Sequence, residues 1–129
     1  MKKLLTTLSS LLLAVVAMAG SSKFAGISHD ELLAAVANKS AVILDVNGSD
    51  SFKAGHIPGA IDYTAQAENL AALLPADKSA LVVAYCGSPA CGAYARAASA
   101  AAKLGYTNVK HYAPGISGWK KSGAPLEKP

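Results

Sequence analysis

The sequence predicts an α/β fold, a mostly parallel central sheet of about five strands with helices on both faces. Three observations carry that expectation. The runs Ala41 to Val46 and Leu81 to Tyr85 are short, β-branched and continuously apolar, as strands covered on both faces are. Segments with apolar residues at helical spacing fall between the strand candidates. Strands that alternate with helices in this way pair in parallel through right-handed crossovers. With 129 residues the chain has the size of one domain.

The elements follow in order. Lys2 and Lys3, the apolar run from Leu4 through Met18 and Ala17-Met18-Ala19 before Gly20 form a secretory signal pattern, with the cut expected after Ala19. Residues 1–19 are then the signal peptide and 20–129 the working domain. The apolar run falls short of the roughly 20 residues that span a bilayer, so no membrane attachment is expected after cleavage. No cysteine follows the run, so nothing points to a lipid anchor. A periplasmic or secreted location follows.

Ser21 to Gly26 leads in, with a short edge strand near Phe24 to Ile27. Ser28-His29-Asp30-Glu31 reads as a capping box opening a helix from His29 to about Ala37, with Leu32, Leu33 and Val36 on one face and Asn38-Lys39 as its end. The strand Ala41 to Val46 closes on Asp45 and the turn pair Asn47-Gly48. One helical turn is expected over Ser49 to Ala54, a short strand over Ala60 to Asp62, and a helix from Ala65 to Leu74 that stops at Pro75. After the strand Leu81 to Tyr85 comes a small-residue loop, then a helix from Ala93 to Leu104 with Gly105 at its left-handed C-cap. Val109 to Tyr112 is the last strand. Pro114 to Gly118 reads as a tight loop, Trp119 as the start of a final helical turn, and Gly123 to Pro129 as tail.

Cleavage removes two lysines and no acid, halving the formal net charge of +4. The remaining lysines are scattered and Arg96 is the only arginine, which argues against nucleic acid as a partner. The two cysteines, Cys86 and Cys91, lie in one loop. In an exported domain they make no disulfide framework, and chemistry is the better reading. Cys86 falls where the strand ends, and Gly87, Ser88, Pro89, Ala90, Cys91 and Gly92 turn the backbone into the helix. A thiol there faces unpaired amides and a positive dipole end, which favour thiolate, the nucleophilic form. Cys86 is therefore expected to ionise more readily than an ordinary thiol. The competing reading is an inert core cysteine.

Together, VILDV, SFKAGHIPGAID, VVAYCGSPAC and AAKLGYTNVKHYAPGISGW resemble a single rhodanese domain from about Phe24 to Pro125. The resemblance implies the rhodanese α/β fold and a sulfurtransferase in which Cys86 carries sulfane sulfur as a persulfide. It implies no cofactor. Its partners would be a small sulfur-containing anion such as thiosulfate or polysulfide, a thiol or cyanide acceptor, and a thiol reductant protein. Three positions depart from the family. Asn47 stands where many members carry arginine, Cys91 where a basic residue commonly ends the loop, and Pro114 where a Gly-Gly pair begins, leaving Gly115 alone. With no charged side chain between Cys86 and Tyr94, a donor anion would be held by backbone amides.

Other residues carry two readings each. Asp45 either accepts loop amides or serves as a general base, and Arg96 either reaches the donor or lies on the surface. His56 reads as a structural turn residue, Trp119 and Tyr112 as a core and rim pair. His29, His56 and His111 lack metal-ligand spacing, so no metal is expected. Cys91 is either a small packing residue or a resolving thiol that attacks the Cys86 persulfide, releases hydrosulfide and leaves an intraloop disulfide. Two other functions compete. A cysteine phosphatase or arsenate reductase would need an arginine six residues after the cysteine, where Gly92 stands. A non-turnover sulfur carrier or binding module would need nothing different in the sequence.

Overall fold

The computed structural model describes residues 24–129, so the expected signal peptide lies outside the described residues. Strand β1 (Ala25–Gly26), helix α1 (His29–Asn38), β2 (Ala41–Asp45), α2 (Ser49–Ala54), β3 (Ile61–Asp62), α3 (Tyr63–Gln66), α4 (Leu70–Leu73), β4 (Leu81–Tyr85), α5 (Tyr94–Lys103), β5 (Asn108–His111) and α6 (Gly115–Lys121) follow in sequence. The five strands form one parallel sheet in the order β1-β5-β4-β2-β3. The apolar run Leu81 to Tyr85 is its central strand, pairing Val83 with Ile43 on one side and Val82 with Val109 on the other.

Alternation along β4 divides the core in two. Val82 and Ala84 face a cluster built with Ala97, Ala98 and Ala101 of α5 and with Leu70 and Leu74. Val83 and Tyr85 face the opposite cluster, with Leu32 of α1, Ile57, Tyr112 and Trp119 of α6. Alanines at α5's inner positions let the helix lie close to the strands. Leu32, Ile57, Val82 and Val83 are fully buried, each contributing about 1.5–3 kcal/mol. Among the described residues, no helix is long and apolar enough to cross a membrane.

The Ser28–Glu31 capping box forms as expected, and Lys39 ends α1 in the left-handed conformation. Five details differ from the sequence reading. Ala35 rather than Leu33 lies on the buried face of α1, because Leu32, Ala35 and Val36 follow the helical spacing and Leu33 is turned outward, 38% exposed. The helix expected over Ala65 to Leu74 begins at Tyr63, capped by Asp62, and breaks into α3, a 3-10 turn (Ala67–Asn69) and α4. The tight loop at Pro114 to Gly118 is the first part of α6. The tail is docked. The Trp119 indole donates to the Pro125 carbonyl at 2.7 Å, and Glu127 exchanges backbone hydrogen bonds with His56 at 2.9 and 3.0 Å. Trp119 and Tyr112 are both buried, so Tyr112 belongs to the core rather than to a rim.

Gly115 fixes how α6 meets the loop. Its φ is +63°, and a Cβ there would meet the Cys86 carbonyl oxygen at 2.6 Å and the Ser88 nitrogen at 2.8 Å. Gly123, at φ +76°, has open space around it. Gly115→Ala is therefore expected to lose roughly 2–4 kcal/mol of stability, from left-handed strain plus overpacking. Gly123→Ala should lose only about 1–2 kcal/mol, from the backbone conformation alone. Urea unfolding of both variants checks this, and equal losses would show that the contact with the loop carries no energy.

A second expectation concerns Tyr85. Its hydroxyl donates to Asp45 at 2.5 Å and accepts the Ile57 N–H at 3.2 Å. Tyr85→Phe strands both partners in the core and should cost about 1–3 kcal/mol in the same measurement. An unchanged urea midpoint would mean that the network contributes nothing.

Candidate active site

Cys86 directly follows β4, and its side chain is turned to the α5 face, where the residue is 2% exposed. Helix α5 has no side-chain cap at Ala93, so the first-turn amides need other partners. The Tyr94 N–H finds the Cys86 sulfur at 3.1 Å. Helix α6 also starts without a side-chain cap, at Pro114. Its Ile116 and Ser117 amides donate to the carbonyls of Cys86 and Gly87 at 2.9 and 3.0 Å. The loop is thus held between two helix N-termini.

Within the loop, the Cys91 amide donates to the Ser88 carbonyl at 3.1 Å. The Cys86 thiol donates to the Cys91 carbonyl at 3.5 Å, which sets the two cysteines side by side. Both cysteines are free. They differ in exposure, Cys86 being buried and Cys91 half-buried. Cys91 lines an open groove of about 400 Å³ with Pro89, Ala90, Gly92, Tyr94 and His111. The His111 ring stacks on Tyr94 with 3.3 Å between centroids, and burial lowers its pKa.

The ionisation of the pair reverses the sequence expectation. Burial, with hydrogen bonding to Cys91, pushes the Cys86 thiol up to about 11 despite the amides of Tyr94 and Gly87, which act the other way. For Cys91 burial also raises the pKa, but the Cys86 hydrogen bond, the amides of Ala93 and Gly87 and the Arg96 charge outweigh it, so its pKa lies below the ordinary thiol value. The amide cradle exists as expected. Its favoured thiolate is Cys91, because the sulfur that is less desolvated and nearer the cation loses its proton first.

Arg96 is exposed on α5, where its charge is felt at Cys91. Asp45 accepts the Asn47 N–H at 2.8 Å and the Tyr85 hydroxyl, and so braces the end of β2. Asn47 sets its side-chain oxygen against Gly87, 3.4 Å from where a Cβ would lie, and its Nδ2 is buried without a hydrogen-bond partner among the described residues. His56 bonds the Phe52 carbonyl at 2.7 Å and stacks on the Phe52 ring. His29 meets the Tyr112 hydroxyl at 2.8 Å. No cluster of metal-ligating side chains occurs among the described residues. Sequence reasoning did not find Tyr94 and His111 as groove residues. The one available signal was that neither Ala93 nor Gly92 can cap α5 through a side chain.

Comparison with known proteins agrees with this architecture. The chain matches the Rhodanese-like domain over residues 28–122. No curated protein matches it. Among solved structures, a protein from Lactobacillus plantarum is 26% identical with a TM-score of 0.60, covering 79% of this chain and 87% of that one. A rhodanese-related protein from Thermoplasma volcanium is 21% identical with a TM-score of 0.61, covering 81% of this chain and 98% of that one. The thiosulfate sulfurtransferase from Pseudomonas aeruginosa superposes with a TM-score of 0.65 at 23% identity, covering 81% of this chain and 20% of that longer one. A parallel sheet in the order β1-β5-β4-β2-β3, a cysteine loop at the end of its central strand and a family match across most of its length lead to one conclusion: this chain belongs to the rhodanese-like domain family.

Proposed function

We propose that this protein is an exported sulfurtransferase that moves sulfane sulfur from polysulfide or thiosulfate to a thiol or cyanide acceptor through a persulfide on Cys86. One observation carries the proposal: the Cys86 sulfur ends the central strand under the uncapped N-terminus of α5, with the Tyr94 amide 3.1 Å away. In the loading step the cysteine thiolate attacks the terminal sulfur of the donor, whose S–S bond breaks, and the donor leaves with the electron pair. In the discharge step the acceptor attacks the outer sulfur and the cysteine leaves as thiolate. The signal pattern of residues 1–19 supports export to the periplasm or beyond. A thiol reductant protein would keep the two free cysteines reduced there.

A phosphatase or arsenate reductase reading has no support in the loop, where Gly92 stands in the position of the oxyanion-binding arginine. The non-turnover carrier reading gains some support from the burial of Cys86, which slows encounter with substrates. Turnover with thiosulfate and cyanide, set against stoichiometric loading alone, separates the two.

Intact mass after incubation with polysulfide is expected to rise by about 32 Da, one sulfur, localised to Cys86 at equilibrium by fragmentation of the peptide that carries both cysteines. The Cys86→Ser/Cys91→Ser double variant should gain nothing. Polysulfide should load faster than thiosulfate, because no side-chain cation lies between Cys86 and Tyr94 to bind the dianion. Failure of both donors to add sulfur to folded, reduced protein would end the sulfurtransferase reading.

The ionisation order has its own test. With iodoacetamide between about pH 6 and about pH 9, Cys91 should be alkylated ahead of Cys86. Cys86 alkylation should keep rising toward its raised pKa of about 11. Cys91→Ser removes one cause of that rise, so Cys86 should titrate lower and alkylate faster near pH 8. A parent protein in which Cys86 reacts first would overturn this order.

A further inference from the structure

We propose that Cys91 is a second sulfur-carrying residue, the one through which sulfane sulfur passes between the groove and Cys86. The proposal rests on the reading that Cys86 holds sulfane sulfur and adds the route by which sulfur reaches it. The geometry that carries it is the position of Cys91. Cys91 lines the groove of about 400 Å³, and its carbonyl accepts from the thiol of Cys86, which is 2% exposed, at 3.5 Å. A donor in the groove meets Cys91, while the Cys86 sulfur is occupied by the Tyr94 amide and packed within the α5 face of the core.

The chemistry needs no oxidant or reductant. The Cys91 thiolate takes the terminal sulfur of a polysulfide, whose S–S bond breaks, and the shortened polysulfide leaves with the electron pair. The resulting Cys91 persulfide anion accepts the Cys86 thiol proton on its outer sulfur. The Cys86 thiolate then bonds that outer sulfur, the bond from it to Cys91 breaks, and its electron pair stays on the Cys91 sulfur. The products are a Cys86 persulfide and a Cys91 thiolate, with the single negative charge conserved. Run backwards, the same exchange returns sulfur to the groove for an acceptor. The Arg96 charge and the amides of Ala93 and Gly87 are placed to favour the Cys91 thiolate at both ends of the cycle. This differs from the resolving role expected for Cys91, in which attack falls on the inner sulfur, expels hydrosulfide and leaves a disulfide that only a reductant can open.

The test combines rapid-quench labelling with two variants. Parent protein mixed with polysulfide, quenched by iodoacetamide and localised residue by residue by fragmentation mass spectrometry should show sulfur on Cys91 first and on Cys86 later. Cys86→Ser should still take one sulfur, on Cys91. Cys91→Ser should load Cys86 about tenfold more slowly than the parent, although its Cys86 is the more readily alkylated. A merely structural effect of losing Cys91 would move loading and alkylation in the same direction. Three outcomes overturn the relay. Sulfur that never appears on Cys91, with Cys91→Ser loading at the parental rate, removes the relay and leaves the sulfurtransferase intact. A Cys86–Cys91 disulfide with released hydrosulfide makes Cys91 a resolving thiol instead. No sulfur on either cysteine removes both readings together.

Discussion

Two of the helices that begin without a capping side chain, α5 and α6, are completed by the same short loop. The Tyr94 amide of α5 rests on the Cys86 sulfur, while the Ile116 and Ser117 amides of α6 rest on the Cys86 and Gly87 carbonyls. Orphan amides at a helix start must find partners, and the cysteine loop supplies partners to both helices. Gly115 makes the arrangement possible, since any side chain there would occupy the space of the Cys86 carbonyl. The brace of Asp45, Tyr85 and Ile57 then holds the end of the two central strands from the opposite face.

Much of this was legible in the residues. The continuous apolar runs located β2 and β4 because parallel strands are covered on both sides, and the capping box located α1 because its hydrogen bonds are local. Longer-range features were hidden. Nothing in Ala65 to Leu74 announces the break into α3, a 3-10 turn and α4. The Pro114 to Gly118 stretch carries proline and glycines, which signal a loop by propensity, yet proline is tolerated at a helix start, and the loop carbonyls supply the partners that its own side chains lack. The docked tail depends on Trp119 reaching Pro125, a contact no local pattern encodes.

In the site, the sequence placed the two thiols and the amide cradle but assigned the easier ionisation to the wrong sulfur. The reason is a competition of magnitudes. Backbone amides and a helix dipole favour a thiolate modestly, whereas burial disfavours any charge strongly, and how deeply a side chain is buried is not written in its neighbours along the chain. Cys86 receives the amides and the burial together, and burial prevails. Cys91 stands where the family commonly has a basic residue, half-buried, so it keeps the favourable partners and meets less of the penalty.

The way the loop is held also has a consequence for how the chain reaches its native state. Strand β1 pairs with β5 across nearly the whole described chain, β4 with partners on either side of it in sequence, and the cysteine loop is closed only by Gly115 to Ser117 near the end. Such a topology rewards its contacts late, after long loops have been closed. A growing or truncated chain that stops before α6 leaves the Cys86 and Gly87 carbonyls without the amides that fix them. The backbone of the loop that carries both thiols is therefore the last part of the site to be fixed while the protein is being made.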